Sequence, residues 1–141
     1  MAVNILIVDD SLPMRAVIKK TIKASGYGAA SFFEADDGRQ ALDILQNQWL
    51  DIVVTDYNMP DMDGMTLLAN LKADDLLASI PVLVITTEGS RQKEREFMEK
   101  GAAGYIKKPF TPEEIRNKLK QILGDIDEPG DLGESDEDLD F

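Results

Sequence analysis

Apolar residues along this chain follow two alternating rhythms, and the alternation predicts an α/β fold. Short unbroken runs rich in β-branched residues, Ile5-Leu6-Ile7-Val8 first among them, read as strands covered on both faces. Between them, apolar residues recur every three or four positions, as Ala41, Leu42, Ile44 and Leu45 do, which marks an amphipathic helix. The predicted order is strand 5–8, helix 12–24, strand 31–35, helix 38–46, strand 51–56, helix 65–72, strand 82–86, helix 90–100, strand 104–107 and helix 111–123. Ser11 can cap the first helix, with Pro13 tolerated in its first turn and Gly26 and Gly28 closing it. Thr111 and Glu114 make a capping box around Pro112 at the start of the last.

Strand composition suggests strand order. The first, third and fourth strands are apolar on both faces, as central strands of a parallel sheet are, while the second and fifth are mixed, as edges are. Right-handed crossovers and those two edges are met by a doubly wound, five-stranded parallel sheet in the order 2-1-3-4-5. The carboxyl ends of such strands share one edge, where ligand sites form. Asp9, Asp10, Asp56, Thr86, Tyr105 and Lys108 all lie in or directly after a predicted strand. The topology therefore brings three carboxylates, a hydroxyl and an ammonium towards one crevice.

Composition narrows the chemistry. The 141 residues allow one domain and include no cysteine and no histidine, which excludes disulfides, thiolate chemistry, Ser-His-Asp triads and imidazole metal sites. A metal would be held by oxygen, which favours magnesium or calcium over zinc. Any phosphohistidine would belong to a partner. The net charge of −12 is uneven: residues 1–123 hold 18 acids and 15 bases, a balance of −3, and residues 124–141 hold nine acids and no base. With no basic surplus, nucleic acid is not an expected partner. Apolar runs of four or five residues are too short to span a membrane, and the first residues show no basic start of a secretory signal. A cytoplasmic location is the resulting expectation.

The segments VDDS, TDYNMPDMDG, ITTE and GYIKKPF, in this order and spacing, resemble the receiver domain of bacterial two-component response regulators, nearest to the stand-alone, CheY-like chemotaxis type. The likeness covers about residues 4–123, and it implies the flavodoxin-like fold, for which the order 2-1-3-4-5 is already established, CheY included. It implies that Asp56 accepts a phosphoryl group from a sensor histidine kinase. It further implies that Asp10 and Asp56 bind Mg²⁺ directly, that the Asn58 backbone carbonyl adds a ligand, and that Asp9 acts largely through water. Lys108 would pair with a phosphoryl oxygen from a cis Lys108–Pro109 bond, with Lys107 a solvated neighbour. Thr86 would donate its hydroxyl to the phosphoryl group, and Tyr105 would swing inward as Thr86 moves. Asn58 and Glu88 would line the path of the hydrolytic water and give a phosphoryl state lasting seconds to minutes, with Thr87 narrowing that path. A monomer would signal to a motor switch, phosphatase or relay protein through the face formed by the fourth helix, fifth strand and fifth helix.

Each residue also has an ordinary reading. Asp56 can cap a turn, Asp9 and Asp10 can lead into a helix cap, and Tyr105 can be a half-buried edge aromatic. Arg91, Lys93 and Arg95 with Glu94, Glu96 and Glu99 read as a solvated face with ion pairs, and Trp49 as a packing residue. Two other functions stay open: a receiver that serves only as a relay or phosphate sink, and a haloacid-dehalogenase-like phosphohydrolase. The latter places its general acid two residues past the nucleophile, where this chain has Asn58. Residues 124–141 read as a solubilising, disordered tail. Alternatively, Leu139 and Phe141 among their acids would dock on a basic, apolar groove of a partner or of this domain.

Overall fold

The computed structural model describes residues 3–124 of the chain. The expected tail, from residue 125 onward, lies outside them. Ten elements alternate: β1 (Asn4–Val8), α1 (Leu12–Ile22), β2 (Ser31–Ala35), α2 (Gly38–Asn47), β3 (Ile52–Thr55), α3 (Gly64–Ala73), β4 (Val82–Thr86), α4 (Arg91–Glu99), β5 (Gly104–Lys107) and α5 (Pro112–Leu123). The strands form one sheet in the order β2-β1-β3-β4-β5, and every pairing is parallel. That is the fold and the strand order expected from the sequence.

Unbroken apolar strands follow from burial on both faces. Leu6 and Val8 of β1 point, with Val53, Val82 and Val84, into a layer closed by Ala41 and Leu45 of α2, Leu67, Leu68 and Leu71 of α3 and Phe97 of α4. Ile5 and Ile7 point the other way, with Ile52, Val54, Leu83 and Ile85, against Ile18 and Ile22 of α1 and Ile115 and Leu119 of α5. Successive residues of a strand face opposite sides, so a sheet with helices on both sides confines the polar residues of β3 and β4 to their carboxyl ends, at Thr55 and Thr86.

The caps are as expected. The Ser11 Oγ accepts from the Met14 N–H at 3.2 Å, and Thr111 and Glu114 complete the capping box, with the Glu114 Oε1 accepting from the Thr111 N–H at 2.9 Å. Two details differ. The first α-helix ends at Ile22, two residues before the expected end, and then widens into a π-helical turn, Lys23–Tyr27, broken by Gly26 at φ 107°. Trp49, expected to pack, is 62% exposed, because Leu50 beside it takes the inward position and is fully buried. The Trp49 indole N–H instead donates to the Asp51 carboxylate at 3.3 Å. Among the described residues, no helix is long and apolar enough to cross a membrane.

Candidate functional site

Parallel register builds the site. Val8 pairs with Thr55, so Asp9 and Asp56, one residue further on, leave the sheet side by side. Asp9, Asp10 and Asp56 each place a carboxylate oxygen within 4.8 Å of the others'. The Lys108 ammonium, brought in by the turn after β5, joins two of them, at 3.0 Å from Asp9 Oδ2 and 3.2 Å from Asp56 Oδ2. The Lys108–Pro109 peptide bond is cis. All four side chains converge.

Their partners differ in a way that bears on what they can bind. Asp9 is buried and fully engaged: its Oδ1 accepts the Ser11 N–H at 2.9 Å and its Oδ2 faces Lys108. Asp56 Oδ1 accepts the Tyr57 N–H at 2.6 Å, and its Oδ2 faces the same lysine. Asp10 is exposed and makes no hydrogen bond or ion pair among the described residues. Three carboxylates around one ammonium leave two uncompensated negative charges, held by oxygen donors alone. Like charges so close disfavour one another, and a hard divalent cation matches both the donors and the charge.

A second group adjoins the first across β4. Thr86 is fully buried, and its Oγ1 accepts the Glu88 N–H at 3.2 Å. The Tyr105 hydroxyl donates to the Glu88 backbone carbonyl. One peptide segment at Glu88 thus ties the strand-end threonine to the tyrosine. Tyr105 is only 7% exposed, more deeply set than an edge aromatic, with its ring centroid 5.7 Å from that of Phe97, which in turn meets Tyr57 edge-on at 5.3 Å. Burial, then the nearby Glu88 and Glu94 charges, push the Tyr105 phenol above its usual range, so its O–H stays a donor.

Residues 5–120 match the response regulator receiver domain family. The chain belongs to that family. Chemotaxis protein CheY-3 of Vibrio cholerae is 44% identical over 120 residues, spanning 85% of this chain and 91% of its own. The CheY of Pseudomonas aeruginosa is 41% identical over 120 residues, with 85% and 95% covered. The structure of Vibrio cholerae CheY4 superposes with a TM-score of 0.77 at 33% identity, covering 86% of this chain and 99% of that one. This receiver domain is therefore similar to chemotaxis proteins over nearly their whole length.

Of the residues singled out in the sequence, the receiver fold gathers Asp9, Asp10, Asp56 and Lys108 into one cluster and links Thr86, Glu88 and Tyr105 into another. Asn58 stands apart: it is exposed in the loop after β3, and its side chain makes no hydrogen bond among the described residues. Glu88 enters through its backbone, not its carboxylate. Lys107 is exposed, as expected for the solvated neighbour. Lys93 pairs with Glu96 at 3.1 Å on α4, the ion pairing foreseen for that face.

Two residues of consequence were missed. Arg15 is buried, and its guanidinium donates to the Asp9 backbone carbonyl at 2.5 Å and to Glu34 at 2.8 Å, with Asp36 also at 2.8 Å. It locks the backbone that carries Asp9. The signal was there, since Arg15 falls on the same helical stripe as Ile18 and Ile22, where a charge needs a buried partner. Gly64 is the other: a Cβ there would sit 2.2 Å from the Asp56 backbone carbonyl oxygen.

Proposed function

We propose that this receiver domain is a phosphorylation-driven switch in a chemotaxis or motility pathway, with Asp56 as the acceptor of a phosphoryl group from a histidine kinase. The observation that carries the reading is the Lys108 ammonium held between Asp9 and Asp56, far apart in sequence, with Asp10 completing the cluster. The similarity to chemotaxis proteins over nearly their full length supports the pathway.

In the transfer, a carboxylate oxygen of Asp56 attacks phosphorus, a P–O bond forms, and the P–N bond to the donor imidazole breaks with its electron pair going to that nitrogen. Lys108 stays charged and pairs with a phosphoryl oxygen, stabilising the charge spread over the group in flight. Asp10 and Asp56, with Asp9 behind them and the Asn58 backbone carbonyl, would hold a Mg²⁺ that supplies positive charge beside the acceptor. Asp9 keeps Lys108 and the start of α1 in place. Thr86 already spends an acceptor lone pair on the Glu88 N–H, so its own hydrogen remains to donate to the phosphoryl group. Asn58 and Glu88 set the lifetime from the rim of the site, giving a state of seconds to minutes.

The signal then travels through Glu88. Tyr105 was expected to swing inward only as Thr86 moves, yet it already sits inward on the Glu88 carbonyl; a shift of the Thr86 hydroxyl would move the Glu88 segment that holds it, so the two side chains behave as one bistable element. The α4-β5-α5 face, which carries Tyr105, would be read by a target protein, with the domain acting as a monomer. Structures with and without a phosphoryl mimic should differ in the Tyr105 rotamer; an unchanged rotamer would remove Tyr105 from the switch.

The test of the acceptor is intact mass after incubation with Mg²⁺ and acetyl phosphate. One added phosphoryl group is expected on the natural chain and none on Asp56→Asn. Addition to both would place the acceptor elsewhere, and addition to neither would favour an adaptor. A phosphohydrolase is the weaker reading, since Asn58 offers no acid at the position where that chemistry needs one.

A further inference from the structure

The outer face of α1 is strongly basic among the described residues. Residues 11–33 include Arg15, Lys19, Lys20 and Lys23 and no acid. The α4 and α5 helices, by contrast, mix both signs nearly evenly. Arg15 is turned inward to Glu34 and Asp36. Lys19 lies 3.6 Å from Glu34, and the Lys19 and Lys23 ammoniums stand 5.9 and 5.7 Å from the centroid of the Phe32 ring. Apolar surface is mixed in, with Leu12 63% and Val17 49% exposed.

A groove runs along each side of this ridge. One, of about 380 Å³, lies between α1 and the start of α5 and is lined by Val17, Lys20, Thr21, Phe110, Thr111 and Pro112. The other, of about 260 Å³, lies towards β2 and is lined by Leu12, Ala16, Lys19, Lys20, Lys23 and Glu34. The surface is built for a segment that is both acidic and apolar. The chain carries such a segment beyond α5: residues 125–141 have nine acids and no base, interspersed with Ile126, Leu132, Leu139 and Phe141.

We infer that residues 125–141 dock along α1, their acids on Lys19, Lys20 and Lys23 and their apolar side chains in the flanking grooves. Reach is ample. An extended chain spans about 3.3 Å per residue, so the segment extends at most roughly 56 Å, against about 16 Å for α1. The α5 helix, from which it leaves, packs directly on α1 and on the turn that follows it: Ser25 Oγ donates to the Pro112 carbonyl at 3.3 Å. The groove between Trp49 and Leu76 offers no such match, because its lining includes Asp74 and no lysine or arginine. A partner that approaches along α1 must first displace the segment.

The absence of native cysteine makes the test direct. A nitroxide attached to S135C in the full, ¹⁵N-labelled chain should broaden amides of residues 12–23 at least threefold more than those of α4 and α5. The difference should fade at 1 M salt, where the screening length is about 3 Å. It should also disappear in K20E/K23E and in the tail variant D136N/E137Q/D138N/D140N, which leaves the folded domain untouched. Even broadening over the surface, broadening centred on α4 and α5, or persistence in the tail variant would overturn the inference. Broadening seen only between labelled and unlabelled molecules would make the occupant a second copy instead. A response of α1 to phosphatidylserine vesicles without any effect of the label would make it a membrane.

Discussion

Gly64→Ala should lower stability by about 3 kcal/mol, the upper end for overpacking a well-packed site, and the melting temperature by roughly 10 °C. The added Cβ would stand 2.2 Å from the Asp56 carbonyl oxygen and 3.0 Å from the Tyr57 Cα, both backbone atoms that no rotamer change can move aside. The contact cannot be relieved by withdrawing α3. Its first residue is fixed from two sides, by the Gly64 N–H donating to the Tyr57 carbonyl at 2.8 Å and by the Asp63 cap on the Thr66 N–H. What yields is the turn that carries Asp56. Phosphoryl uptake should therefore fall in the fraction of Gly64→Ala that still folds, although the substituted residue is not an acceptor. Gly28→Ala is the control: its Cβ meets nothing nearer than 3.9 Å, and loss of unfolded-chain entropy should leave it neutral or stabilised by up to about 1 kcal/mol. Urea denaturation of the two variants side by side decides it, and equal midpoints would refute the packing account.

Gly64 also shows where reading the sequence runs out. As part of TDYNMPDMDG it looks like a turn glycine, and turn chemistry alone would tolerate alanine at a negative φ. Its true constraint is the approach of two backbones eight positions apart, which no local pattern encodes. Arg15 is the opposite case, legible on its helical stripe but overlooked because charges are usually assigned to the surface. The strands were readable almost to the residue, since burial on both faces demands unbroken apolar runs. Helix starts were readable within a residue where a cap marks them, as at Ser11 and Thr111. The π-helical turn after α1 was not, because a change from one hydrogen-bond spacing to another leaves no compositional mark beyond Gly26.

The cluster of Asp9, Asp10, Asp56 and Lys108 was legible for a topological reason. Once strand order is set, every strand's last residue lies on one edge, and polar residues there are candidates irrespective of their separation. The linkage from Thr86 through Glu88 to Tyr105 was only half legible. Resemblance suggested that the two side chains move together, but nothing in the sequence says that the Glu88 backbone joins them. That segment is now the place to look for variants that accept phosphate yet fail to signal.

Lys108→Met separates what the lysine does for the fold from what it does for the chemistry. Methionine keeps the length of the stem and removes the charge, leaving Asp9 and Asp56, with side chains 2% and 12% exposed, facing one another without a cation. Breaking a buried pair from one side costs about 3–5 kcal/mol, and the lower figure is expected because Asp10 and Asp56 reach solvent. Divalent cation should bind this variant more tightly than the natural chain, since no ammonium competes for the carboxylates, and saturating Mg²⁺ should restore much of the lost stability. Phosphoryl uptake should stay about 100-fold or more below the natural rate even there, the usual consequence of deleting one charged partner of a group in transfer. A purely structural lysine predicts the reverse: once Mg²⁺ restores the melting temperature, uptake from acetyl phosphate returns with it. Lys108→Arg, which keeps the charge but replaces a point donor with a longer planar fork, should fall between the two in rate while matching the natural chain in cation affinity.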